Sequence, residues 1–425
     1  MRGAALATKN TTETLFARTP VHTAEETECC IVGAGPAGVM LAFLLARRGV
    51  RVTLLEAHGD FEREFRGNTL NPAALETLAR LGLADKIMQL DHAKVHRFVL
   101  EDAGGRRETF ADFARLKSAY PYVLMLPQAR FLELVATEAE RYPNFRLVMG
   151  ARVKELVEEN GAVRGVRYGG EGGLHEVKAA LTVGTDGRFS RLRKLAALKP
   201  NVAGRSSMDV FWFNLPRLPE DPEGAGAVFR FGKRSLLVMM DHSDHWQVGY
   251  IIPKGHYSRL KERGLPALRR SVAVLAPELR DRVGMLEDWG QGSLLPVESD
   301  RLGRWYKPGL LLVGDAAHVM SPVGGVGINL AIEDAVVAAN VLADPLLEGS
   351  VEERHLRSVQ RRRSPCVRVI QYAQDFAQRY VVGDALDRED AFELPRFLRL
   401  LLRTPVLRAV PTRLIAYGAW SVRLK

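Results

Sequence analysis

The sequence predicts an α/β fold in three parts. A parallel, doubly wound sheet is interrupted by a mainly antiparallel sheet and followed by a helical C-terminal region. Three observations carry this expectation. An apolar strand at 29–32 runs into a glycine-spaced turn, Gly33-Ala34-Gly35-Pro36-Ala37-Gly38, and then into a helix, a second apolar strand and an acid. Between about 205 and 300 the chain is rich in aromatics and β-formers, with strands expected at 210–213, 228–231, 236–240 and 246–252. From 345 onward it reads as helical and basic.

The first turn has a job for each glycine. Gly33 makes the tight turn, Gly35 lets backbone approach a pyrophosphate, and Gly38 lets the helix pack close to the sheet. The N–H groups that open the helix at Ala37 and Gly38 lie at its positive dipole end and suit phosphate. A second strand at 50–55 delivers Glu56, placed to accept hydrogen bonds from a ribose. This is the Rossmann-like dinucleotide layout, and a ligand-free βαβ unit is the plainer alternative.

Onward from Glu56 the pattern changes. Residues 68–82 read as a helix with Pro72 in its first turn, 95–126 as short strands, and 128–142 as a helix with Phe131, Leu132, Val135, Ala136 and Ala139 on one face. Strands follow near 146–149, 153–158 and 163–168. A further apolar strand, 180–184, stops at Thr185-Asp186-Gly187, where the carboxylate is either a ligand group or a helix N-cap. The sharpest motif is the buried strand 309–313, which ends in Gly314-Asp315 and leads through Pro322, Gly324, Gly325 and Gly327 into a helix from Ile328. Asp315 suits a polyol hydroxyl, the glycines admit a flat ring system, and the helix amides stabilise negative charge on it.

With these pieces in view, the chain resembles the single-component FAD-dependent monooxygenases, the aromatic hydroxylase class typified by para-hydroxybenzoate hydroxylase. The resemblance rests on Gly33 to Gly38, on Gly184-Thr185-Asp186-Gly187-Arg188, and on Gly314-Asp315-Ala316-Ala317-His318 through Pro322, and it covers about 27–345. It implies a Rossmann-like FAD-binding domain (26–200 and 301–345, with 86–127 partly in the substrate sheet). It also implies an inserted, mainly antiparallel β-sheet substrate domain (201–300), a C-terminal helical region (346–425) and a flexible leader (1–25). Residue by residue, it makes Glu56 a ribose ligand and Asp315 a ligand of the ribityl–pyrophosphate region. Arg66 would lie near the FAD phosphates, Gln128 would contact the cofactor from a helix start, and Asp186 would be tied to both FAD and NAD(P)H. Pro322 would shape the oxygen-reacting face. Thr185 stands where alanine is usual, and no tyrosines match those that activate a phenol in the best-known members.

The implied reaction uses NADH or NADPH and O2 to hydroxylate an aromatic, polyketide or quinone-like substrate through a flavin hydroperoxide. A flavin-dependent reductase or dehydrogenase of the prenyl-reductase kind, and a non-catalytic flavin-binding protein, are the alternatives. His318 is read as a packing and hydrogen-bonding residue, and no residue is assigned as catalytic. Phe211, Trp212, Phe213 and Tyr250 are candidates to line an apolar pocket, but alternation puts Trp212 opposite Phe211 and Phe213.

Composition sets the outer limits. Of 425 residues 47% are hydrophobic, enough for a large core, and no apolar run is long enough to span a membrane. The first 25 residues are polar and lack a signal-peptide core. Three cysteines, two of them adjacent in a strand, give neither a disulfide framework nor metal spacing, and fit a reducing cytoplasm. A net charge of +10 suits anionic ligands, but no nucleic-acid module is present. In the tail, Phe397, Leu400, Leu401 and Leu407 alternate with Arg396, Arg399, Arg403 and Arg408. This surface either rests peripherally on anionic lipid or caps the main domain, and the cap is preferred.

Overall fold

In the computed structural model, which describes residues 21–62, 69–204, 206–221, 226–242, 244–387, 390, 392–394, 396–420 and 422–424, strand Val21–Val32 lies within an eight-stranded sheet. It pairs in parallel with Val52–Leu55 on one side and Gly173–Gly184 on the other. The latter continues in parallel to Leu310–Leu312. The register aligns the carboxyl ends: Val32 faces Leu55 and Gly184, and Gly184 faces Leu312. The turns after these four strands therefore leave the sheet along one edge, where ligands of open α/β sheets bind.

Two helices hold that edge. Helix Pro36–Arg47 is buried from Ala37 to Ala46, as an all-apolar helix between layers must be. Beside it runs helix Gly327–Leu347, whose buried positions include Leu330, Ala331, Ile332, Ala335, Ala338 and Leu342. Burying this many apolar side chains, at about 25 cal/mol per Å², makes the pair the structural centre of the domain.

A second sheet has seven strands in the order Gly292–Pro296, Met208–Pro216, His245–Pro253, Leu236–Asp241, Ala227–Phe231, Arg97–Glu101, Arg107–Asp112. Two strands from before residue 127 thus join it. Its back is covered by helices Tyr257–Glu262 and Leu265–Leu275, which the sequence reading did not anticipate. Leu265, Leu268 and Val272 bury one side of the longer helix at helical spacing.

Three expectations shift. The first strand begins at Val21, so it reaches five residues into the expected leader and pairs Val21 with Leu174. The helix expected over 68–82 spans Pro72–Arg80: the Asn71 side chain accepts the Ala74 N–H at 2.9 Å and caps it, while Thr69–Leu70 pairs with Val123–Met125. The glycine-loop helix expected from Ile328 begins one residue earlier, at Gly327.

The C-terminal region comprises helix Glu353–Ala377, a π-helical turn Gln378–Gly383, and helices Asp384–Asp387, Arg396–Arg403 and Pro405–Tyr417. The last is docked on the main body. Thr412 Oγ1 accepts the Asp112 N–H at 3.0 Å, the Ile415 carbonyl accepts from Asn71 Nδ2 at 2.9 Å, and Ala416 is fully buried. Among the described residues no helix is long and apolar enough to cross a membrane.

Candidate functional site

The three glycine-bearing turns meet. A Cβ built on Gly33 would lie 2.7 Å from the Asp186 Cα, so the first turn is stacked against the second. One on Gly38 would lie 1.9 Å from the Gly33 carbonyl oxygen, which leaves only hydrogen as a possible side chain there. One on Gly314 would lie 3.2 Å from the Ala37 Cβ and 3.8 Å from that of Ala331, which brings the third turn to the start of both central helices. Thr185, the departure from alanine, donates its hydroxyl to the carbonyl oxygens of Gly33 at 2.6 Å and Val32 at 2.9 Å. Its hydroxyl thus fastens the first turn to the second.

Two openings remain in this packing. Gly35 is the N-cap of helix Pro36–Arg47, no side chain caps that end, and a Cβ on Gly35 would meet only the Thr185 oxygen, at 4.0 Å. Helix Gly327–Leu347 likewise starts without a side-chain cap, and a Cβ on Gly327 would meet nothing within 4 Å. Around Gly33 to Pro36, only Gly33, Gly35 and Pro36 keep solvent access within residues 29–46. Two long helices whose N-termini carry no side-chain cap, each with room beside a glycine at its start, fit an anionic, phosphate-bearing group.

Glu56 is buried and reaches back to the loop. Its Oε2 accepts the Ala34 N–H at 2.8 Å, and its Oε1 accepts the His58 N–H at 3.0 Å. Asp315 is the one half-buried residue in 310–319, so the strand hides everything except this carboxylate. The loop after it is held from two sides. Thr69 donates its hydroxyl to the Gly325 carbonyl at 2.7 Å, while Gln374 Nε2 donates to the carbonyls of Ser321 and Val323, each at 2.8 Å. Asn329 ties the loop to the strand: its Oδ1 accepts the Asn71 N–H at 2.9 Å. Pro322, Gly325, Gly327 and Ile328 are all half-buried on this pinned loop.

Gln128 opens helix Gln128–Ala139, three residues beyond Met125, whose strand partner is Thr69. It thus lies on the side of the loop that Thr69 anchors. Arg66 falls outside the described residues. Asp186 is turned inward: Ser190 donates its hydroxyl to Oδ1 at 2.6 Å and Leu192 its N–H to Oδ2 at 2.9 Å. Burial pushes its pKa up against those bonds. Ser190 is the N-cap of helix Arg191–Leu195, its hydroxyl accepting the Arg193 N–H at 2.9 Å, and Asp186 satisfies a second first-turn amide, that of Leu192. The pinning residues Thr69, Asn71 and Gln374 went unread in the sequence. Only the Asn-Pro step at 71–72 carried a signal, because Gln374 lies in a long basic helix with no motif.

Of the candidate pocket aromatics, Phe211, Phe213 and Tyr250 pack on the back of the seven-stranded sheet, and Tyr250 shares a hydrogen bond with Ser271 at 2.8 Å. Trp212 faces the other way, in one cluster with Phe229, Met240 and Val323 of the glycine loop.

A parallel sheet whose glycine turns converge beneath two uncapped helices, beside a second sheet with an apolar face, defines a flavin-dependent oxidoreductase of the monooxygenase class. The chain belongs to the FAD binding domain family, whose model matches residues 26–373. It is 36% identical over 400 residues to the 6-methylpretetramide 4-monooxygenase of Streptomyces rimosus, covering 94% of each chain. Among solved structures it is similar in fold to PqsL of Pseudomonas aeruginosa in complex with 2-aminobenzoylacetate. There the TM-score is 0.72 at 21% identity, over 86% of this chain and 98% of that one. It is similar likewise to the anhydrotetracycline hydroxylase OxyS of Streptomyces rimosus, with a TM-score of 0.72 at 24% identity over 94% and 77%. FAD is its cofactor.

Proposed function

We propose that this enzyme hydroxylates an aromatic, polyketide-derived or quinone-like substrate with NADH or NADPH as electron donor and O2 as oxygen source. The observation that carries the reading is the end-to-end 36% identity with a monooxygenase of an aromatic polyketide. The apolar face of the substrate sheet, turned toward the glycine loop, supports it.

In this reading the amides that open helix Pro36–Arg47, at Ala37 and Gly38, hold the FAD pyrophosphate, with Gly33 and Gly35 giving the backbone its close approach. Glu56 holds the adenosine ribose and Asp315 the ribityl–pyrophosphate region. Arg66 and Gln128 add polar contacts, Asp186 is tied to both FAD and NAD(P)H binding, and Gly325, Gly327 and Ile328 present backbone to the ring, with Pro322 on its oxygen-reacting side. When bound, FAD supplies the route by which two electrons from NAD(P)H reach O2, one oxygen atom entering the substrate C–H bond and the other leaving as water. The chain's own work is to hold the substrate against the loop and keep water from the reacting oxygen, which the hydrocarbon face of the sheet does.

The test is the visible spectrum of the purified protein, then NADH and NADPH oxidation with a panel of phenols and quinones while oxygen and peroxide are followed. Bound flavin with substrate-stimulated oxygen uptake and a hydroxylated product is expected. Bound flavin with anaerobic reduction of substrate would move the assignment to a reductase, and flavin without stimulated turnover to a binding protein.

A further inference from the structure

The accessible positions inside the seven-stranded sheet cluster. Phe229 and Met240 are each the half-exposed residue of an otherwise buried strand, and Trp212 is half-exposed within the buried run 208–213. They share one face. Trp212 pairs with Gly249, Gly249 with Val238, and Val238 with Phe229, which sets a single row across four strands. Met240, two residues beyond Val238, points the same way.

Gly249 explains the shape of this row. A Cβ there would lie 2.8 Å from the Trp212 ring. Glycine in mid-strand costs stability and marks a close approach, and here what approaches is the indole, which lies down across the neighbouring strand. The result is a flat aromatic plate in the middle of an apolar face.

Two further elements border the plate. Val323 of the glycine loop packs into the cluster of Trp212, Phe229 and Met240. Ile415 and Tyr417, on the last turn of helix Pro405–Tyr417, pack on the same buried cluster as Phe110, Phe229 and Met240, the one that holds Phe98, Ala227 and Ala416, and Ile415 Cγ1 lies 3.8 Å from where a Gly324 Cβ would be. The hydrogen bonds of Thr412 and of the Ile415 carbonyl fix this turn in place. The C-terminal helix therefore stands beside both the glycine loop and the plate.

We propose that Trp212, laid flat over Gly249, is the stacking floor of the substrate pocket and that Ile415 is its wall, so that the chain selects a planar, fused-ring aromatic. This rests on the hydroxylase reading above. All the side chains named at the floor and wall are apolar or aromatic, so affinity comes from area and stacking.

The test uses the FAD-loaded full chain, titrated with a dihydroxyanthraquinone and, separately, with single-ring para-hydroxybenzoate, binding being read from the perturbed flavin spectrum. Trp212→Leu is expected to weaken the anthraquinone about tenfold, the loss of one stacking partner, and Trp212→Phe to restore most of it. Ile415→Ala, on a surface helix, is expected to weaken it several-fold and keeps the proposal testable where Trp212→Leu fails to fold. Flavin loading stays unchanged in all three variants, and affinity for the single ring of para-hydroxybenzoate falls by less than that for the anthraquinone. Anthraquinone affinity equal to wild type in the folded variants would overturn the proposal, as would wild-type holoenzyme that does not bind the anthraquinone. Wild type that never loads FAD would instead overturn the hydroxylase reading on which it rests.

Discussion

Nε2 of His318 lies 2.6 Å from Oδ2 of Asp334, and the same oxygen accepts the Gly314 N–H at 2.9 Å. A carboxylate has no proton to give, so Nε2 is the donor and the imidazole's tautomer is set. The other Asp334 oxygen accepts from Arg363 Nε at 2.6 Å, and Arg363 Nη2 reaches Glu333 at 2.7 Å. All four groups are buried. Burial pushes the Asp334 pKa up, but His318 and Arg363 outweigh it and lower it to about 2. This network ties the turn that carries Asp315 to two helices, and it gives His318 the packing and hydrogen-bonding role expected from sequence.

Arg363→Leu leaves two buried carboxylates without their cation. The expected cost is about 3–5 kcal/mol in urea unfolding, with FAD binding weakened because the Gly314 turn is released.

The same network predicts acid behaviour. A carboxylate whose folded pKa is depressed adds stability above its ordinary range and loses that contribution as pH falls through the folded value, here from about 4 toward about 2. Asp334→Asn should lower the melting temperature near neutrality and flatten its fall over that acid range. Parallel curves for wild type and variant would contradict the assignment.

Gly35 and Gly38 should separate under substitution. Gly38→Ala drives a methyl to 1.9 Å from the Gly33 carbonyl and is expected to cost both fold and flavin. Gly35→Ala meets only an oxygen at 4.0 Å, so the apoprotein should melt as wild type while FAD affinity drops about tenfold or more. Differential scanning fluorimetry with and without added FAD reads both.

Asp315→Asn tests the half-buried carboxylate of the third turn. A hydrogen bond to a charged group contributes about 1.5–3 kcal/mol, so FAD affinity should fall roughly ten- to hundredfold. Little change in affinity would remove Asp315 from the cofactor site.

His242 gives a separate pH signature. Burial, with His245 stacked 4.6 Å away, lowers its pKa to about 4. Between 6.5 and 4 the unfolded chain binds the proton first, so stability should fall with pH across that window, by at most about 3 kcal/mol. His242→Gln should remove most of that slope in denaturation curves taken across the window.

Much of this was legible in the sequence, because the chemistry of backbone approach leaves marks. Gly33, Gly35 and Gly38 read correctly as a strand–turn–helix, and Gly314-Asp315 as a strand end, since glycine and a lone carboxylate in apolar runs have few other uses. The alternation Phe211-Trp212-Phe213 separated the two faces of the sheet before any coordinates. What stayed hidden was long-range. Gln374 reaches the glycine loop from a distant helix, Ile415 from the chain's end, and Arg363 lies inside a basic run that reads as a solvated face. No local pattern distinguishes a buried arginine from its exposed neighbours Arg361 and Arg362.

Holoenzyme turned over with NADPH or NADH and a fused-ring phenol under isotopically labelled dioxygen gives the most direct test. One labelled oxygen atom in the product, with nicotinamide oxidation accelerated by substrate, is the expected result. Product without label, or oxidation that yields only peroxide whatever the substrate, would contradict a monooxygenase.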